Sequence, residues 1–120
     1  MAFNDPQTMD VAGTAVALPR TGSGINSGTF STNDGTAKLS VSHTYAKRTR
    51  RVIRVDLNKV AADPFVAGNS NSVSMSTYVV IDAPKQGFTA AEQVAAVASL
   101  AKLLTASTNA QLTKLVGGEN

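Results

Sequence analysis

The alternation of apolar and polar residues changes period at Pro84: upstream the apolar positions recur every second residue, and downstream about every three and a half. Period two is clearest in residues 38–45, where Leu39, Val41, His43 and Tyr45 share one face and Lys38, Ser40, Ser42 and Thr44 the other. Residues 50–58 repeat it, with Ile53, Val55 and Leu57 opposite Arg50, Val52, Arg54, Asp56 and Asn58. These two strands pair antiparallel through a turn at residues 46–49. In residues 73–82, Val73, Met75, Thr77, Val79 and Ile81 face one way and Ser74, Ser76, Tyr78 and Val80 the other. Earlier in the chain, residues 7–12 and 14–18 alternate about Gly13 and predict a small hairpin. Residues 19–28, rich in Gly and Ser, read as a loop, and residues 29–32 as a short strand. The Asp34-Gly35 pair after it suits a tight hairpin turn. Residues 61–71 hold Asp63-Pro64, Gly68 and an Asn/Ser cluster, and read as a loop.

Beyond Pro84 and Gly87, Thr89 and Glu92 have the spacing of a capping box, and residues 90–104 follow without Gly or Pro. The stripe Val94, Val97, Ala98, Ala101 and Leu104 is widened by Leu100 and Leu103 beyond what one sheet covers. Residues 105–107 break this helix. Thr108 and Gln111 offer a second capping box, and Leu112, Leu115 and Val116 form a short apolar edge before Gly117-Gly118. The pattern predicts an α+β fold: an N-terminal β-hairpin (1–20), an antiparallel β-sheet meander (25–82) and two C-terminal α-helices (89–117) in one domain of 120 residues. A monomer of this size buries only roughly two-thirds of the surface its unfolded chain exposes. With no Trp and only 2 Tyr and 4 Phe, the chain has few large side chains to organise a core alone. The helices therefore ask for a partner subunit, and Val94, Val97, Ala98, Leu100, Ala101, Leu104, Leu112 and Leu115 are the expected dimer interface.

Charge sharpens the picture. The net charge is +3, yet Lys38, Lys47, Arg48, Arg50, Arg51, Arg54 and Lys59 stand against Asp56 alone between positions 38 and 59, so that segment carries +6 and the remainder −3. A local positive field suits a polyanion. Lys38, Arg50 and Arg54 fall on the polar face with Ser40, Ser42, Thr44, Ser74, Ser76 and Tyr78. Such cations neutralise phosphates, hydroxyls bond bases or ribose 2′-OH groups, and a tyrosine stacks on an exposed base, so these nine residues are the expected RNA-binding set.

Other chemistry finds little support. Cysteine is absent, and the single histidine, His43, alternates with apolar residues and reads as structural, so neither a metal nor any other cofactor is expected. The carboxylates are dispersed, which argues against an enzyme and a small-molecule substrate. Gly22, Gly24 and Gly28 miss the dinucleotide-binding spacing. The N-terminus lacks the basic and apolar regions of a signal peptide, and no apolar run reaches the roughly 18 residues of a membrane span. The expectation is a soluble protein made in the cytoplasm, with no membrane partner.

The chain resembles the coat proteins of the single-stranded RNA bacteriophages, the levivirus-like family. The resemblance covers nearly the whole length and rests on the order of residues 52–60 (VIRVDLNKV), 78–92 (YVVIDAPKQGFTAAE), 103–108 (LLTAST) and 113–119 (TKLVGGE). It implies a homodimer in which each subunit lays its helices across the partner's sheet, and a quasi-equivalent icosahedral capsid around a single-stranded RNA genome. The family also binds a hairpin in its own RNA, which represses translation and marks the genome. By similarity Lys38, Ser40, Ser42 and Arg54 match inner-face positions that hold phosphates and an unpaired adenine, and Ser74 and Ser76 match positions on the last strand. Val52 stands where well-known members carry a hydroxyl residue, and Tyr78 lies beyond the matched position of the stacking tyrosine. These departures favour nonspecific genome packing over one hairpin sequence. The loop between the last two strands gathers, by similarity, around the symmetry axes. A non-assembling dimeric RNA-binding regulator is the alternative reading.

Overall fold

The computed structural model describes residues 3–11 and 13–120. Its elements are β1 (Gln7–Val11), β2 (Thr14–Leu18), β3 (Arg20–Gly24), β4 (Ser27–Ser31), β5 (Ala37–Tyr45), β6 (Arg48–Ala62), β7 (Ser70–Pro84) and α1 (Ala90–Val116). Strands β1 and β2 form a hairpin, and β3 to β7 form a five-stranded meander in chain order. The class is α+β, as the period change predicts. Contacts divide the chain into two units, one ending at Asp82 and the other Ala83–Asn120.

The hairpin pairs Met9 with Val16 and Gln7 with Leu18, turning at Gly13 with φ 83. Ala12, which the pattern places at the end of the first strand, lies outside the described residues. The hairpin's apolar side supplies Leu18 to the core, where Leu18 (0% exposed) and Phe30 (1%) join Ala37 and Leu39, with Met9, Val55 and Leu57 packed around them. Burying two such large side chains is worth about 1.5–3 kcal/mol each. The core therefore lies between the hairpin and the apolar face of β4, β5 and β6.

Strands extend into two stretches that the pattern assigns to loops. Residues 20–24, read as loop, form β3, paired with β4 through Arg20↔Phe30, Gly22↔Thr29 and Gly24↔Ser27. Glycine is used in this strand for close approach: a Cβ on Gly22 would lie 2.6 Å from the Thr29 hydroxyl, and one on Gly24 2.9 Å from that of Ser27. The loop expected at residues 61–71 is shorter at both ends. Strands β6 and β7 run 15 residues each and leave only residues 63–69 between them. That short loop is organised by Asp63, whose Oδ1 accepts from the Phe65 amide at 2.9 Å and whose own amide donates to the Asn69 carbonyl at 2.9 Å.

Helix α1 begins with the predicted capping box: the Glu92 amide donates to Thr89 Oγ1 at 3.2 Å and the Thr89 amide to Glu92 Oε2 at 3.3 Å. It ends in a Schellman motif, with the Gly118 amide bonded to the Leu115 carbonyl, the Glu119 amide to that of Lys114, and Gly118 at φ 81. Between these ends the pattern predicts two helices, and the helical element is interrupted by a kink that leaves helical torsions at Ala106 (ψ 147) and turns left-handed at Ser107, Thr108 and Asn109. Polar side chains that compete for backbone groups make this the weakest point of the element. Thr108, at φ 57, lacks the extended backbone of an N-cap, so the second capping box does not restart the helix. No residue of α1 is buried.

Candidate nucleic-acid interface

Register places the polar face. Strands β5 and β6 pair Lys38↔Asp56, Ser40↔Arg54, Ser42↔Val52 and Thr44↔Arg50, so these eight side chains line one side of the sheet in two columns. The intervening pairs, Leu39↔Val55 and Val41↔Ile53, line the other side. Alternation alone produces this sorting, since opposed residues in an antiparallel pair point the same way. Strand β7 brings Ser76 to the polar side, and Ser74 and Tyr78, two residues to either side of it, share that face. Lys38, Ser42, Thr44, Arg50, Arg54, Ser74, Ser76 and Tyr78 are exposed, and Ser40 is half-buried.

At the centre of the face three side chains close a hydrogen-bonded ring. Arg54 Nε donates to Asp56 Oδ1 at 2.9 Å, Arg54 Nη2 donates to Ser76 Oγ at 3.0 Å, and the Ser76 hydroxyl donates to Asp56 Oδ1 at 2.6 Å. The Ser76 hydroxyl, then the Arg54 guanidinium and the charge of Lys38, hold the Asp56 carboxyl below its ordinary value of 3.8 against a desolvation cost. Asp56 thus stays ionised amid the cations. Asp56 joins the polar face beside the nine residues expected to bind RNA, and its position two residues from Arg54 on the same face was the available signal.

The remaining cations disperse. Arg48 pairs with Asp82 at 2.9 Å. Arg51 opposes His43 and so projects from the apolar side, where its Nη1 donates to His43 Nδ1 at 3.1 Å and to the Tyr45 hydroxyl at 3.2 Å. Since arginine can only donate, Nδ1 is the acceptor and the His43 ring carries its proton on Nε2. The +6 segment therefore delivers Lys38, Arg50 and Arg54 to the polar face and spends Arg48 and Arg51 elsewhere.

The dimerisation residues expected on the helix are all unburied in the chain: Val97, Leu104 and Leu112 are half-buried, while Val94, Ala98, Leu100, Ala101 and Leu115 are exposed. Leu100 is 48% exposed, Leu103 57% and Leu115 62%.

The chain matches no family model and no curated protein. Solved structures do resemble it. A chain of the virus-like particle of bacteriophage AVE019 superposes with a TM-score of 0.74 at 12% identity, covering 87% of this chain and 88% of that one. The coat protein of bacteriophage EMS014 gives 0.66 at 16% identity over 90% and 81% of the two chains. The virus-like particle of Beihai levi-like virus 21 gives 0.66 at 12% identity over 96% and 94%. Over nearly its whole length, this chain has the fold of the coat proteins of levi-like RNA bacteriophages.

Proposed function

We propose that this protein is the structural subunit of a bacteriophage capsid, a single coat-protein domain that dimerises and assembles into an icosahedral shell around single-stranded RNA. The observation that carries this reading is the row of exposed leucines along the helix, Leu100, Leu103 and Leu115. An amphipathic helix that leaves leucines half exposed in its own chain needs a second surface, because solvated leucine forfeits about 1.5–3 kcal/mol each relative to burial. A second copy supplies that surface. Strand β7 is the edge of the meander, and its 15 residues offer a row of backbone groups for the β7 of a partner. Pairing there makes one continuous sheet, on which each subunit's helix can lie across the other's apolar side.

The polar face then lines the interior, where Lys38, Arg50 and Arg54 neutralise phosphates and the hydroxyls of Ser40, Ser42, Thr44, Ser74 and Ser76 meet bases and riboses. Tyr78 stacks on an unpaired base. An RNA hairpin bound to this face in the dimer would repress translation, while the genome at large is packed through its phosphates. The shell places the protein in the virion, after synthesis in the host cytoplasm. Negative-stain microscopy of the protein expressed alone in bacteria is the test. Closed particles of uniform diameter are the expected result, and dimers that stay dimers at high concentration would favour a non-assembling RNA-binding regulator.

A further inference from the structure

We infer that Asp56 is a built-in counter-ion of Arg54, a positioning residue that sets how tightly and how salt-sensitively the polar face holds RNA. The inference rests on the RNA-binding reading of that face. A carboxylate at the centre of a polyanion site is otherwise a liability, since it repels every phosphate the cations attract. Here it stands opposite Lys38 in register and 2.9 Å from the Arg54 guanidinium. The ring through Ser76 fixes the guanidinium without exhausting it. Of five N–H donors, one on Nε and one on Nη2 are engaged within the ring, leaving three for an incoming phosphate. Arg54 can therefore take a phosphate oxygen while still bound to Asp56, in an orientation set before RNA arrives.

The charge balance follows. Lys38 and Arg54 together contribute two positive charges, and Asp56 reduces the cluster to one. Binding strength on a polyelectrolyte tracks the number of phosphates neutralised, with a slope of about 0.7 per phosphate on single strands. With Asp56 present the face gives up about one such unit, which suits a protein that must let RNA rearrange as a shell closes.

Asp56→Asn keeps an acceptor for Arg54 and removes only the charge. Titration of the full-length protein with a fluorescent oligouridylate across a salt series reads the effect. The expected result is binding about three- to tenfold tighter at low salt, with the slope of log K against log salt steeper by roughly 0.7. Ser76→Ala, which loosens the ring and leaves the charge, should not change the slope. Asp56→Ser provides a second neutral variant should the asparagine protein fold poorly. If Lys38→Ala and Arg54→Ala flatten the slope while both neutral Asp56 variants leave it unchanged, the counter-ion role is wrong and the RNA-binding face stands. If the lysine and arginine variants change nothing, the face itself is misassigned.

Discussion

The carboxylate of Asp34 closes the turn between β4 and β5, accepting from the Thr32 hydroxyl at 2.7 Å, the Thr36 hydroxyl at 2.8 Å and the Thr36 amide at 3.1 Å. Those bonds, led by the one from Thr32, lower its pKa from 3.8 to about 2. Because the folded value lies below the unfolded one, the ionised turn contributes stability that is fully present above about pH 4 and is lost as pH falls from 3.8 toward 2. The melting temperature of Asp34→Asn should therefore lie below that of the parent at pH 5 to 7, and the gap should narrow below pH 4; a gap independent of pH would contradict the assignment. On the polar face, Lys38→Ala and Arg54→Ala should each weaken RNA binding several-fold at low salt and flatten its salt dependence by roughly 0.7, measured by the same salt-series titration. The sorting of Lys38, Ser40, Ser42 and Arg54 onto one side was legible because alternation in β5 and β6 is nearly unbroken. The ring through Asp56 was not, because it depends on which serine of β7 arrives beside Arg54, and local periodicity carries no information about that register.

At the scale of elements, the chain's pattern predicts strands well where branched apolar residues alternate with hydroxyls and poorly where glycine replaces them. Strand β3 has the sequence RTGSG, which carries no alternation and is a strand through its backbone pairing with β4, where Thr29 and Ser27 crowd the space a side chain at Gly22 or Gly24 would need. The ends of β6 and β7 were hidden by Asp63-Pro64, which stays in the short loop just past β6, and by the Asn/Ser cluster, whose residues 70–72 are absorbed into the start of β7. The helix was legible at both ends, since Thr89, Glu92, Gly117 and Gly118 form their caps through local bonds. Its middle was only partly so: the sequence marks a break, and the structure makes it by three successive left-handed residues rather than by a fresh cap. For the dimer, Leu100→Asp and Leu104→Asp should give monomeric or insoluble protein by size-exclusion chromatography with light scattering. Each charge placed in the proposed interface would cost several kcal/mol when buried without a partner. Normal dimers from both variants would refute helix-mediated pairing.

For the molecule as a whole, the proposed shell demands that subunits meet at surfaces other than the dimer interface. The loop of residues 63–69 is a candidate, because Phe65 is 93% exposed at its tip while Asp63 holds the backbone in place. An aromatic ring presented to water on an ordered turn costs solubility unless it docks elsewhere. Phe65→Ser should accordingly leave the dimer and its melting temperature unchanged but reduce the yield of closed particles several-fold, counted by electron microscopy. Equal particle yields would remove the loop from the assembly contacts.

Strand β5 begins at Ala37, opposite Leu57, and the last bond from its flank to β6 runs from the Asn58 amide to the Thr36 carbonyl at 2.8 Å. Past that point β6 and β7 continue as a two-stranded ribbon for four more residues, about 13 Å at the usual rise. A ribbon without a third strand twists more readily than the sheet it grows from. In the proposed shell, such an arm would let its pitch differ while its root stays still, so that copies with identical sequences could reach differently wherever their neighbours differ.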